Sequence, residues 1–237
     1  MKVPVITVPM LAPDETAFSL LARTRSICGS QNSKAICRSL LGGDEHAGLI
    51  FDFPQRLAVL ASHLSWPLCD PTTLASQATV LPFYVRFRNP SVATRAIAKM
   101  CGPTVAALKD DLGLRASAGG TGAMVKTCPE CMAADTAALG VPYWHRTLQL
   151  PGVTICPTHC VPLLESGSVG QGKQQRFRLP HELRWASVRG QRFGARPDPC
   201  ALRLSKLSAA ALSAELPGGF CPGTLHFGLL PVSWTPC

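Results

Sequence analysis

The sequence predicts a mainly α-helical protein: an N-terminal helical domain containing a helix-turn-helix-like pair, a small metal-binding module with little β structure, and a short C-terminal helical segment. Three observations carry this expectation. Apolar residues recur at three- and four-residue spacing through residues 14–115, the period that gives a helix one buried face. Capping residues followed by proline, Asp70-Pro71 and Asn89-Pro90, open helices in that stretch. Alternation at period two is scarce, while two Cys-Pro turns near residues 128 and 156 have the spacing of metal knuckles.

Residues 1–12 read as extended and are punctuated by Pro4 and Pro9. Asp14 is placed to cap a first helix whose Ala17, Leu20, Leu21, Thr24, Ile27 and Cys28 share a face, and Gly29 breaks it. Asn32 or Ser33 starts a second helix with Ile36, Cys37, Leu40 and Leu41, ended by Gly42-Gly43. Two short helices across a tight Gly-containing turn fit a helix-turn-helix and equally any helical hairpin. Pro54 suits the first turn of a third helix lined by Leu57, Leu60, Ala61 and Leu64 and stopped by Pro67. Leu74, Ala75 and Ala78 follow Asp70-Pro71, and Val92, Ala96, Ile97 and Met100 follow Asn89-Pro90. Between them LPFYVRF is too apolar for a linker. Val105, Leu108 and Leu112 suggest one more helix before Gly113. Gly119-Gly120 then reads as a hinge, separating a helical domain at 1–120 from a module at 121–165. The polar run SGSVGQGKQQ reads as a linker into a basic, partly helical region at 166–237. There Leu202, Leu204, Leu207, Ala210, Ala211 and Leu212 line a last helix.

Apolar residues make up 46 % of the chain, enough for a packed interior, which excludes global disorder. The formal charge of +9 favours a polyanionic partner, nucleic acid first and an anionic membrane surface second. The longest uncharged stretch, Leu216 to Cys237, holds Pro217, Pro222, Pro231 and Pro236 and cannot make an unaided spanning helix. The first residues lack the unbroken apolar centre of a secretory signal, so a cytoplasmic location is expected. In a reducing compartment an odd set of 11 cysteines, most of them alone in sequence, points to metal binding rather than a disulfide framework.

Residues 126–165 carry the chemistry. Cys128 and Cys131 form a Cys-Pro-x-Cys knuckle, and Cys156 and His159 a Cys-Pro-x-His knuckle. A two-residue gap lets each turn deliver both side chains to one ion, and two such turns complete a tetrahedron around Zn²⁺. His159 repeats the first knuckle's spacing; Cys160 beside it is the alternative fourth ligand. Lys126 and Arg146 are expected to offset the excess thiolate charge. Such a site has no coordination position left for water, so its expected role is structural. No pair of acids, Ser/His/Asp set or Gly-rich phosphate loop stands out, and no catalytic residue is expected. Two basic groups are candidate nucleic-acid contacts: Arg23, Arg25, Lys34 and Arg38 on the first two helices, and Arg176, Arg178, Arg184, Arg189 and Arg192 after the module.

The runs C-P-x-C, G-x-P-Y-W-H-R, Q-L-P-G-V and C-P-x-H resemble the TniQ/TnsD family of bacterial transposition proteins. The upstream P-D-E-x-x-x-S-L-L-x-R at Pro13 to Arg23, L-G-L-R-A-S at Leu112 to Ser117 and A-L-R-L-S-K-L-S-A-A-A-L at Ala201 to Leu212 are similar to its helical parts. The resemblance implies a non-enzymatic target-selection adaptor that binds DNA or a DNA-bound complex and recruits an AAA+ ATPase and a transposase. It also implies that Cys128, Cys131, Cys156 and His159 are the zinc ligands. A homodimer is compatible with it, and a free-standing zinc-containing DNA-binding regulator is the alternative. The sequence departs from the family pattern at Leu148, where a His is usual, and at Cys160, where a Gly is common. It also lacks a second C-x-x-C knuckle after the Leu163-Leu164 pair.

Overall fold

The structure, a computed structural model, describes residues 6–29, 32–43, 51–105, 107–114, 124–167, 176–188 and 197–213. Helices α1 (Ala17–Ile27) and α2 (Ser33–Leu40) pack on each other across a turn in which Gly29 takes φ +60°. Helices α3 (Leu57–Ala61), α4 (Pro71–Ala78), α5 (Leu81–Val85) and α6 (Pro90–Cys101) pack together, and α7 (Leu108–Asp111) lies against α6. The caps explain the boundaries. The Asp70 carboxylate accepts from Thr73 N at 2.7 Å, and the Asn89 and Asn32 side chains each accept at 3.0 Å from the amide two residues on.

Two helix starts differ from the sequence reading. Helix α1 is capped by Thr16, whose Oγ1 accepts from Ser19 N at 3.0 Å. Asp14 stands at φ +58° and accepts instead from Thr147 N at 3.0 Å, far along the chain. Helix α3 begins at Leu57 because Arg56, at φ +58° with its amide bonded to Gly102 O at 2.9 Å, interrupts any helix running on from Pro54.

Strand β1 (Met124–Thr127) leads into helix α8 (Pro129–Leu139), and a short 3₁₀ turn follows at Thr147–Gln149. Strands β2 (Leu164–Gly167) and β3 (Ala186–Ser187) complete an antiparallel sheet of order β1-β2-β3, registered Thr127 to Leu164 and Leu164 to Ser187. The polar run expected to be a linker therefore begins inside a strand. Residues 115–123, the expected hinge, lie outside the described residues, as does the chain beyond Ser213.

Contacts cross both expected module boundaries. Phe18, Leu21, Ile36, Leu57, Leu74 and Met100 share one apolar core with Trp144, Leu150, Val153, Phe177 and Leu179. Polar ties run alongside it: Thr16 N donates to Trp144 O at 3.0 Å, Trp144 N to Ser19 Oγ at 3.0 Å and Tyr143 Oη to Pro13 O at 3.0 Å. The Pro13–Arg23 and Tyr143–Arg146 motifs are thus two sides of a single contact.

The last helix, α9 (Pro199–Ser213), packs on α5 and on the 3₁₀ turn. It buries Ser205, Ser208 and Leu212 and leaves Leu204 and Leu207 exposed, not the Leu-lined face that spacing alone suggests. Leu204 lies against Gly152, which stands at φ +74°: a Cβ there would come within 3.1 Å of a Leu204 methyl. Among the described residues no helix is long and apolar enough to cross a membrane.

Candidate metal centre

Each half of the centre is built by local rules. Cys128 is the residue before Pro129, in an extended conformation that suits an N-cap, and Pro129 takes the first helical position where its missing amide costs nothing. Cys131 falls on the first turn of α8, so both sulfur atoms face the positive end of the helix. The second half is a hairpin. Ile155 bridges Pro162, Cys156 N donates to Val161 O at 2.8 Å, and Cys160 N returns to Cys156 O at 2.9 Å. Cys160 closes this turn at φ +57° and is not one of the four side chains of the ligand group.

The ligand atoms of Cys128, Cys131, Cys156 and His159 all lie within 4.8 Å of one another. His159 Nδ1 stands 3.6 Å from Cys128 Sγ, 3.3 Å from Cys131 Sγ and 3.6 Å from Cys156 Sγ, while Cys131 and Cys156 sulfurs are 3.8 Å apart. A tetrahedral ion with metal–sulfur bonds of about 2.3 Å and a metal–nitrogen bond of about 2.0 Å has edges of about 3.8 Å between sulfurs and about 3.5 Å from sulfur to nitrogen. The four edges given are close to those values. The structure gathers the sequence-derived ligands into one group, with His159 and not Cys160 at the fourth corner.

The electrostatics show three buried sulfur atoms acting on one another. Contacts with Cys128 and Cys156, together with burial, push the Cys131 thiol upward. Cys128, lowered by Cys131 but raised more by Cys156 and burial together, ends at about 11. Cys156, accepting from both, is pushed down, and the His159 amide supports its sulfur at 3.4 Å. Three buried sulfurs sharing protons in this way are a donor set made for a cation.

The printed bonds of Lys126 and Arg146 run to backbone carbonyls and to Asp14. Lys126 Nζ donates to Leu150 O at 2.6 Å and Val153 O at 2.8 Å, and burial brings its pKa down to about 8 against the pull of Glu165. Arg146 donates from Nη1 to Ser76 O at 2.6 Å and Thr79 O at 3.1 Å, with Nε 3.3 Å from Asp14 Oδ1. Both cations tie the hairpin's approach segment to the rest of the fold.

Sequence reasoning missed the supports of the centre. Gln149 bonds both ways with Lys126, accepting from its amide at 3.1 Å and donating to its carbonyl at 2.7 Å, and so fixes β1 against the 3₁₀ turn. Asp135 on α8 holds His145 Nε2 at 3.0 Å, and His145 stacks on Tyr143 with ring centroids 4.3 Å apart. The available signal was polar residues fixed within short motifs, since Asp14, Ser19, His145 and Gln149 all belong to the runs quoted above. A cleft of about 560 Å³ lies beside the centre, lined by Cys131, Cys156, His145, Arg146 and residues of α9.

The basic candidates divide. Arg23 and Arg25 are buried, which corrects the expectation that they face a phosphate backbone. Arg23 Nη1 donates to Glu15 Oε2 at 2.7 Å, and Arg25 Nη2 reaches both Glu182 oxygens at 2.6 and 2.8 Å. Burial raises the Glu15 carboxyl, and the Ala12 amide and Arg23 oppose that rise. Lys34, Arg38, Arg176 and Arg184 are exposed and Arg178 is half-buried. Arg189 and Arg192 lie outside the described residues.

A family model, TniQ, matches residues 6–163, from ahead of α1 to the hairpin that carries Cys156 and His159. The chain is also similar to the Transposon Tn7 transposition protein TnsD of Escherichia coli. The two are 25 % identical over 174 residues, which is 73 % of this chain and 34 % of that protein. The match thus spans about a third of the relative's length.

Proposed function

The chain belongs to the TniQ family, and on that premise we propose that it is a target-selection adaptor in DNA transposition, binding DNA or a DNA-bound complex and recruiting an AAA+ ATPase and its transposase. The observation that carries this reading is the span of the family match across two distant motifs that the fold joins. Pro13–Arg23 and Tyr143–Arg146 interlock through Thr16, Ser19 and Trp144, and the ligand group hangs directly from that joint. A relative named as a transposition protein matches over 73 % of the chain.

In this reading Cys128, Cys131, Cys156 and His159 hold one Zn²⁺. Thiolates with an imidazole at tetrahedral spacing select zinc over magnesium or calcium, which take oxygen ligands. When bound, the ion supplies cross-linking, because four protein ligands occupy its tetrahedron and no water is activated. Cys128 and Cys131 would anchor it to α8, and Cys156 and His159 to the hairpin. The protein is accordingly read as non-enzymatic.

The test is capture and dependence. The full chain, co-expressed with the AAA+ ATPase of its own mobile element, is expected to retain that ATPase on an affinity column. Deleting its gene is expected to abolish insertion at the selected target. A chain that retains no ATPase, leaves insertion untouched and footprints a promoter is a free-standing regulator instead.

A further inference from the structure

Helix α9 leaves an apolar seam uncovered. Cys200, Leu204, Leu207 and Ala211 recur at intervals of four, three and four residues, which stacks them along one flank of the helix. Cys200 is exposed, Leu204 and Leu207 are 47 % and 61 % exposed, and Ala211 is half-buried, whereas Ser205, Ser208 and Leu212 take the inward face. The apolar surface extends past the helix. Arg86 Nη1 donates to Ala211 O at 3.4 Å, and its guanidinium lies 5.7 Å from the ring centroid of Phe87, which is 84 % exposed. Leu204, Leu207 and Phe87, all large and all facing solvent, thus belong to the layer formed by α9 and the end of α5.

The charges beside the seam are of one sign. Arg203 and Lys206 stand exposed next to Leu204 and Leu207, and Arg86 sits at the C-terminal end. Among the described residues 197–213 the single carboxylate is Asp198, whose Oδ1 accepts from the Cys200 amide at 2.9 Å at the start of the helix. Asp14 lines the cleft beside Ala209 and Ala210, where Arg146 and the Thr147 amide hold it. Residues 189–196 and 214–237, on either side of α9, lie outside the described residues; in sequence they hold Arg189, Arg192 and Arg196 before the helix and one acid, Glu215, after it.

We propose that this seam is a docking surface for an amphipathic helix of a partner protein, one with large apolar side chains along its own seam and aspartates or glutamates beside them. A ridge with this spacing fits between the ridges of a second helix. Burial of Leu204 and Leu207 supplies the affinity, and Arg203 and Lys206 select the acidic flank. A second copy of the chain is a poor occupant, because pairing α9 with itself crowds the two cations of each copy together with no acid between them. The chain's own Leu216–Cys237 stretch is uncharged and offers nothing to either cation. The inference rests on the adaptor reading for its choice of a protein as partner, and goes beyond it by naming the surface and the chemistry of what docks there.

The experiment measures, by fluorescence anisotropy, binding of the full zinc-loaded chain to two synthetic helical peptides. Both carry leucines at the spacing of the seam; one has glutamates beside them and the other lysines. The parent chain is expected to bind the glutamate peptide about tenfold more tightly than the lysine peptide, and Arg203→Glu with Lys206→Glu to reverse that order. Leu204→Ser with Leu207→Ser is expected to weaken the glutamate peptide about tenfold. Leu207→Ser alone, which leaves Leu204 against Gly152, moves binding in the same direction. Ile27→Ser, at an exposed apolar residue of α1, serves as control and leaves it unchanged. Zinc content and melting temperature equal to those of the parent chain establish that the variants fold. The proposal is overturned if the parent binds neither peptide or both alike, if the serine variants bind like the parent, or if Ile27→Ser weakens binding equally. It is also overturned if the serine pair converts a dimer to a monomer in sedimentation, which assigns the face to a second copy. Loss of binding to phosphatidylserine vesicles with the peptide unaffected assigns it to a membrane and overturns the proposal as well. A parent that retains the ATPase but shows no peptide preference overturns the surface and leaves the adaptor. The expected peptide pattern in a chain that never retains the ATPase overturns the adaptor and leaves the surface.

Discussion

Cys160 occupies a left-handed backbone position at φ +57° in the hairpin between Cys156 and Val161. A side chain with a Cβ is strained there, and glycine is not. That accounts physically for the glycine common at this place in the family and predicts the outcome of restoring it. Cys160→Gly is expected to raise stability by about 1 kcal/mol, read as a shift in the urea midpoint at saturating zinc, and a lower midpoint would show that the thiol contributes packing. The meeting of Cys128, Cys131, Cys156 and His159 was legible because its rule is local: two residues between donors define a turn whatever lies around it. The fate of individual arginines was not legible. Arg23 and Arg25 look like surface cations in sequence, and their partners, Glu15 and Glu182, are identified as such only once the chain has folded.

Among the elements, those with a cap written into the sequence were found nearly to the residue, and those stopped by a distant bond were not. Helix α4 opens at Asp70-Pro71 and helix α6 at Asn89-Pro90, both as the local chemistry dictates. The Asp70 carboxylate also accepts from the Thr73 hydroxyl at 2.8 Å, and these bonds hold its pKa below the usual carboxylate value. Asp70→Ala is expected to cost about 1 kcal/mol in urea unfolding at neutral pH, with Asp70→Asn recovering most of it. By contrast α1 starts late because Asp14 is recruited by Thr147, and α3 starts late because Arg56 is fixed by Gly102. Helix α9 was located correctly, but it buries Ser205 and Ser208 beside Leu212 where apolar spacing put a Leu-lined face, because spacing does not report what an element packs against.

For the molecule as a whole, the small sheet, the ligand group and the helical core share one interior, so loss of the ion should be felt well beyond the hairpin. One zinc per chain is expected by metal analysis. Cys156→Ser, or chelation of the parent chain, is expected to remove it together with the near-ultraviolet dichroism of Trp144, which lies in that shared core. Retention of the aromatic signal in a metal-free chain would show that packing alone holds the centre. The long-range ties carry a consequence for synthesis on the ribosome. Tyr143 reaches Pro13 across 130 positions, and Arg25 reaches Glu182 across 157. The first helix to emerge therefore waits for nearly the last described strand before its guanidinium finds a counter-ion. Nascent chains stalled short of Glu182 would bury an unmatched cation or keep α1 open, which makes them natural clients for chaperones and proteases.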